Sequence, residues 1–415
     1  MLNKFMKRKQ TILLIFYIFL CFLFYKIIFN TFISNNTTNV DSSDLINNEK
    51  VSPQKLYDKS WSVIKKDYID SSCNSQNWKK WRHRYDGRLK TDEDARVAIE
   101  TMVASLDDSY TRFLSNKEYL EQFNSIDSHI SGIGVHIMSI AGKITVYGVM
   151  EDTPAQKSGL LADDVILEVD GKSVSGMHIS KVADVVRGKV GSYVTLKIKR
   201  GNKTLIKRIQ RAKIEIKSVE ASMRKNDIGY IKVTSFIGTN TSSDFVSALK
   251  KLEKSKSIIL DLRGNTGGLL TNAVVIANLF INDGKIVSIV YKNGKKKDIT
   301  AIHMPSINKP TVLLVDGASA SASEILSGAL KDNKKAVLVG TKTFGKGLVQ
   351  QIVPMPNGTG LNVTVAKYLT PNGTDIHKKG INPDYEVAYT FSDLKKHNDT
   401  QLKKAEEVAK SLCKN

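Results

Sequence analysis

Between Val312 and Gln350 the chain reads VLLVDGASASASEILSGALKDNKKAVLVGTKTFGKGLVQ. Val312–Val315 is a short, wholly apolar run, the pattern of a strand buried on both faces. Small residues follow from Gly317 to Ser323, and Glu324–Leu330 then has helical spacing. A second apolar run, Ala336–Val339, leads to a glycine-flanked lysine in Thr343-Phe344-Gly345-Lys346-Gly347. The order is strand, sharp turn, helix, strand, with serines at the turn. A serine so placed stands at the end of a sheet, beside the free N–H groups of a helix N-terminus. That setting suits a nucleophile whose substrate carbonyl becomes an oxyanion.

A serine nucleophile needs a base. The chain has seven histidines, none near this turn in sequence, although the partners of a catalytic serine are usually remote in sequence. Lys346 is the local candidate. A lysine ordinarily titrates near ~10.4. Burial among Phe344, Leu348 and Val349 would disfavour the ammonium and let a neutral amine take the serine proton. A run of small residues opening a helix also serves as a cap or a packing device. The lysine motif is what turns the reading toward catalysis.

Ser319-Ala320-Ser321-Ala322-Ser323-Glu324, paired with Thr343-Phe344-Gly345-Lys346-Gly347, resembles the C-terminal processing peptidases, or tail-specific proteases. The resemblance covers most of the chain after the N-terminal apolar run. It implies a serine endopeptidase with a ClpP/crotonase-like α/β core. Ser321 would be the nucleophile, Lys346 the base and Gln350 a residue orienting the lysine. Ile258–Arg263 reads as a buried strand and Gly264–Gly268 as a glycine turn. Together they resemble the family's DLRxNxGG, with Gly264 and Thr266 where Asn and Pro are frequent. From that match the oxyanion hole is carried onto the backbone N–H groups of Gly267 and Ala322. A phosphate-binding loop would need a lysine–serine pair that this turn lacks. Leu106–Phe113 resembles the family's LDDPYT(R)F, with Ser109 in place of proline. Asp107 and Asp108 are read there as a helix stop and not as a catalytic pair. Tyr368–Gly373 and Gly380–Asp384 resemble the motifs that close the domain, and Asp332 matches an aspartate after the serine helix. His377 is expected to be exposed.

Residues 129–212 change character to short β-type runs with Gly and Asp-Gly turns around one helix, Ile179–Arg187. Gly132-Ile133-Gly134-Val135, Thr153-Pro154-Ala155, Ser158-Gly159-Leu160 and Asp163-Asp164-Val165-Ile166 form a series that resembles a PDZ domain of the bacterial protease type. A Gly-x-Gly loop exposes N–H groups able to hold a chain-terminal carboxylate. The strand beside it can pair with a peptide by β-augmentation. A groove of Ile133, Val135, Val182 and Val186 would receive the last side chain. Arg187-Gly188 matches an arginine that can couple this domain to the protease.

The remaining chain supplies context. Residues 1–10 carry four cations and no acid, and Thr11–Phe29 is apolar apart from Lys26. A helix over that run spans about 28 Å, close to a bilayer core. With no Ala-x-Ala site after it, an uncleaved signal anchor is expected over 11–33, its basic end in the cytoplasm. Residues 34–50 read as a polar tether, 51–128 as a helical region, 213–390 as the protease core and 391–415 as a terminal helix. The expected location is the inner (cytoplasmic) membrane, single-pass, with the catalytic part on the periplasmic or equivalent side. The net charge of +21 is spread along the chain, and no nucleic-acid motif accompanies it. Three cysteines make no disulfide framework; a Cys73–Cys413 bridge and free thiols both fit. No ligand spacing suggests a metal, and no cofactor is expected. The partners implied are proteins with free apolar C-termini, with room for a homo-oligomer or an activating partner. The rival reading is a PDZ scaffold that binds tails without cutting.

Overall fold

The computed structural model describes residues 49–413 apart from 127–128, 141, 151, 216–217, 304–306, 391–392 and 394–397. The expected anchor at 11–33 lies outside these residues. Among the described residues no helix is long and apolar enough to cross a membrane. The chain divides into two compact units, residues 124–216 and the segments on either side of them.

The larger unit begins with α1 (Pro53–Asp67), α2 (Lys79–Arg82), α3 (Asp92–Ala104), β1 (Arg112–Leu114) and α4 (Asn116–Ile126). Local chemistry sets the helix starts. The Ser52 hydroxyl accepts the Lys55 N–H with Pro53 opening α1, and Thr91 and Asp94 cap α3 reciprocally. Apolar faces from α1 (Leu56, Trp61, Ile64) and α3 (Ala98, Met102, Val103) form one cluster with Leu361 and Val363. These helices are therefore packed on the strand that carries Leu361 and Val363.

The smaller unit runs β2 (His129–Gly132), β3 (Val135–Ile140), β4 (Lys143–Val149), α5 (Pro154–Lys157), β5 (Val165–Val169), β6 (Lys172–Ser173), α6 (Ile179–Val186), β7 (Tyr193–Arg200), β8 (Lys203–Gln210) and β9 (Ala212–Glu215). Its main sheet has the order β3-β4-β5-β7-β8, with β6 on β5, and every pairing is antiparallel. β3 is an edge strand.

The larger unit resumes with β10 (Val219–Arg224), β11 (Ile228–Val233), α7 (Thr241–Lys251), β12 (Ser257–Asp261), α8 (Leu270–Asn278), β13 (Lys285–Tyr291), β14 (Lys296–Thr300) and β15 (Thr311–Val315). It ends with α9 (Ala322–Asp332), β16 (Val337–Gly340), β17 (Leu348–Pro354), β18 (Gly360–Leu369), β19 (Tyr385–Glu386) and α10 (Thr400–Leu412). Strands β10-β11-β12-β15-β16-β19 form one sheet, parallel from β11 onward. Side chains of β15 alternate between its faces. Leu313 and Val315 join the core with α8 and α9, while Val312 and Leu314 pack under Ala405, Val408 and Ala409 of α10. Burial on both faces is why these strands read as unbroken apolar runs. A second, antiparallel sheet has the order β1-β18-β13-β14, with β17 on β18. Cys73 is buried and Cys413 exposed, and both are free.

Candidate active site

Three adjacent parallel strands bring three turns to one edge of the large sheet. β12 pairs with β15 and β15 with β16. Beyond their C-terminal ends follow the glycine turn 264–268, the serine turn 317–321 and the lysine turn 341–347. Parallel pairing is the reason that segments far apart in sequence converge there.

The three serines of the turn have different environments. Ser319 is buried, and its hydroxyl donates to Leu262 O at 2.9 Å. Ser323 is buried, and its hydroxyl donates to Asn265 O at 2.8 Å. Ser321 alone is partly exposed. Its backbone has φ 54 and ψ −114, a region that non-glycine residues occupy at a cost of about 1–3 kcal/mol. Buried hydrogen bonds from the neighbouring serines fix the turn on which that conformation is held.

Glu324 joins the serine and lysine turns. It is fully buried, three residues into the helix that Ser321 caps. Its Oε2 accepts the Ser321 N–H at 3.0 Å and the Lys346 N–H at 2.8 Å. Its Oε1 accepts Thr343 Oγ1 at 2.6 Å and the Gly345 N–H at 2.7 Å. From the other side, Tyr368 Oη contacts the carbonyl oxygens of both Ser321 (3.1 Å) and Lys346. Burial raises the Tyr368 phenol well above its ordinary value, so it stays protonated and can donate. One carboxylate and one phenol thus hold the backbones of the same two residues. The sequence reading missed both groups. The Ser-x-x-Glu spacing of a capping box was the available signal for Glu324.

Lys346 is half-buried, and burial lowers its pKa from the ordinary lysine value, with Asp108 acting in the opposite direction. The direction matches the expectation; of the expected wall, Leu348 and Val349 are half-buried but Phe344 is 57% exposed. Instead the ammonium lies over the ring of Tyr110, 4.8 Å from its centroid. Asp108 accepts the Tyr110 N–H at 3.0 Å and Thr111 Oγ1 at 2.6 Å, shaping the turn that presents this ring. The 107–111 stretch does stop α3, with Asp107 at φ 52; it also borders the lysine. Among the described residues no carboxylate lies within ion-pair distance of Lys346 Nζ, and no hydrogen bond joins it to Ser321 Oγ.

Gly267 packs directly on the serine turn. At φ +103, a Cβ there would lie 2.7 Å from Ala320 O and 2.8 Å from Ser321 Cβ. Gly267 and Ala322 are therefore neighbours at Ser321, as expected. Their N–H groups differ. That of Gly267 donates to Asn265 Oδ1 at 2.9 Å, and must leave it to meet an oxyanion. That of Ala322 has no acceptor among the described residues. Asn265 also anchors the serine turn, since its carbonyl accepts the Ala320 N–H at 3.0 Å.

Among the described residues no hydrogen bond joins Gln350 to Lys346; the Gln350 amide donates to Thr364 Oγ1 at 3.4 Å on the paired strand. Asp332 is structural, accepting the Asn372 N–H at 2.9 Å. His377 is half-buried and not exposed as expected, because Gly345 and Gly347 pack against residues 376–380. Among the described residues no group of His, Cys, Asp and Glu could hold a metal.

In the smaller unit, Gly134 sits at φ +84, where a Cβ would lie 2.3 Å from Thr153 Cβ. Ile133, Val182 and Val186 are buried in that unit's core. Val182 and Val186 lie on α6 and Ile133 directly precedes the β3 turn, all three buried. Val135 is partly buried beside them, and Gly132 ends β2. Arg187 is exposed and pairs with Asp184. Arg211, which the sequence reading passed over, caps α6 through Val186 O at 2.9 Å and Val185 O at 3.0 Å.

A profile of Peptidase family S41 matches residues 227–387, and one of the PDZ domain matches residues 145–200. The chain is 39% identical over 326 residues to the carboxy-terminal processing protease CtpA of Bacillus subtilis (strain 168), covering 77% of this chain and 69% of that protein. It is 37% identical over 345 residues to a carboxyl-terminal-processing protease of a Picosynechococcus species, covering 80% and 83%. Among solved structures, a photosystem II D1 C-terminal processing protease is 32% identical, with a TM-score of 0.56 over 81% of this chain and 94% of that one.

Proposed function

This chain belongs to peptidase family S41 and is a serine-type peptidase, and from that premise we propose that it cuts proteins near free apolar C-termini with Ser321 and Lys346. The observation that carries this reading is the shared Glu324 carboxylate, which holds the Ser321 and Lys346 backbones together. Neutral Lys346 takes the proton of Ser321 Oγ as the oxygen attacks the scissile carbonyl. The Ala322 N–H, and the Gly267 N–H once turned from Asn265, receive the oxyanion. The lysine ammonium then protonates the leaving amine. Water, deprotonated by Lys346, releases the acyl group and restores the serine. The core follows the ClpP/crotonase-like plan. The PDZ unit takes the substrate tail along the open edge of β3, with the Gly132–Gly134 loop receiving the carboxylate. The apolar run 11–33 anchors the chain in the cytoplasmic membrane with this unit outside.

The test compares the full chain with Ser321→Ala on an unfolded reporter whose apolar tail ends in a free or an amidated carboxyl. Cleavage by the parent only, weaker on the amidated tail, is expected. Equal cleavage of both tails removes carboxylate capture. Tail binding without cleavage by either protein points to a scaffold and overturns the catalytic reading.

A further inference from the structure

The segment Lys79–Lys90, KKWRHRYDGRLK, holds six lysines and arginines and one acid. All six, Lys79, Lys80, Arg82, Arg84, Arg88 and Lys90, are exposed, and among the described residues none is in an ion pair. The one acid, Asp86, is engaged by His83 at 2.9 Å. This is a built surface. Trp61 Nε1 donates to Trp78 O at 2.9 Å and Tyr57 Oη to Trp81 O at 2.6 Å, so two aromatic side chains of α1 pin the segment along that helix. The cations are set on aromatic faces. Lys65 and Arg82 lie over the Trp61 ring at 5.0 and 5.3 Å, and Arg84 lies over Trp81 at 4.8 Å. The Lys292 ammonium joins them, donating to Lys65 O at 2.7 Å. Like charges gathered without counter-ions repel one another, and an anionic partner relieves that repulsion.

We propose that this face docks on the anionic headgroups of a lipid bilayer and sets the orientation of the catalytic unit on it. Two observations favour lipid over nucleic acid. Binding of single strands uses open aromatic faces on which bases stack. Here Trp61 and Trp78 are buried and Trp81 is covered by Arg84. The face also lies beside the start of the described chain, where Gln54 of α1 donates to Asp86 at 3.3 Å. About twenty residues separate that point from the apolar run, and a chain of that length spans at most roughly 70 Å. For this proximity the inference rests on the anchor proposed above.

The experiment uses the full chain reconstituted into vesicles of phosphatidylcholine alone or with about one third phosphatidylglycerol. Flotation reads the anchor, and tryptic cleavage within residues 79–90 reads the face. The expected result is flotation with both lipids and protection of the segment on anionic vesicles only. Protection should vanish at about 0.5 M salt. The variant Lys79→Glu, Lys80→Glu, Arg88→Glu, Lys90→Glu, read at Arg82 and Arg84, the tryptic sites it keeps, should lose that protection at least tenfold while cleaving the soluble reporter as the parent does. Equal cleavage on both lipids overturns the docking face and leaves the anchor standing. Failure to float with neutral vesicles removes the anchor. In that case salt-sensitive flotation with anionic vesicles alone supports the face, and no flotation overturns it. Loss of protection on adding a stoichiometric oligonucleotide assigns the face to nucleic acid and overturns the lipid proposal.

Discussion

The N–H of Lys346 donates to Glu324 Oε2 at 2.8 Å, on the same oxygen that receives the N–H of Ser321. The two candidate reacting residues therefore share an acceptor, and their spacing follows from one buried side chain. A glutamine at 324 keeps the shape but has a single oxygen, and its amide hydrogens would oppose N–H donors now facing the carboxylate. Glu324→Gln is expected to lower kcat about ten- to a hundredfold with little change in KM, the size of about one to two lost charge-assisted bonds. Steady-state kinetics decide it. A change confined to KM would place Glu324 in substrate binding.

The serines should separate cleanly. Ser321→Ala is expected to remove cleavage, by about a thousandfold or more, without lowering Tm. Ser323→Ala removes one of the two donors to Asn265 O inside the core, leaving the Ala320 N–H. It should cost about 1–2 kcal/mol of stability and retain measurable cleavage. Thermal melts and reporter assays on both variants check this. Cleavage surviving in Ser321→Ala would refute its role as nucleophile.

Burial lowers the Lys346 pKa, so the neutral base becomes available below the ordinary lysine range. On the acid side, kcat/KM should rise with pH as Lys346 loses its proton, and level off below ~10.4. The Tyr110 face and the Asp108 carboxylate both favour the ammonium. Removing either lowers the pKa further. Tyr110→Leu and Asp108→Asn are therefore expected to move the acid limb to lower pH, while Tyr110→Phe, which keeps a ring, moves it less. Glu324, Tyr368 and His377 also border this turn, so each pH profile is taken as a difference from the parent. A limb that stays fixed in Tyr110→Leu would show that the ring only fills space.

Gly134 leaves no room for a Cβ, which would lie within 2.6 Å of three Thr153 side-chain atoms at a positive φ. Gly134→Ala should distort the loop that leads β3 and weaken binding of a free apolar tail about tenfold or more. Its effect on an amidated tail should be smaller. Equal losses on both tails would remove the loop from carboxylate capture.

Arg263 donates to buried Asp261 at 2.7 Å and to Asp399 at 2.9 Å, the residue that caps α10. Arg263→Leu strands the Asp261 carboxylate, which is 1% exposed. The expected loss is about 3–5 kcal/mol, read from denaturant unfolding. A loss under about 1 kcal/mol would mean that water reaches Asp261.

The sequence alone determined the elements whose signals are local. β4, β5 and β15 and the helices α6, α9 and α10 were legible because period-2 alternation, unbroken apolar runs and capping residues act within a few positions. β10, β13, β14 and β17 were missed. β14 is two lysines, an acid, an isoleucine and a threonine, with little apolar pattern, and β17 follows directly on the lysine motif; partner strands make them strands. The pairing of Ser321 with Lys346 came from a motif match. The choice among the three serines became physical only in the fold, because Ser319 and Ser323 are engaged by Leu262 and Asn265 across the sheet edge. The wall of the lysine, the ring of Tyr110, lies more than two hundred residues away in sequence. Such contacts were not legible because they depend on tertiary strand pairing, here of β1 and β17 with the same strand β18, which no local spacing encodes.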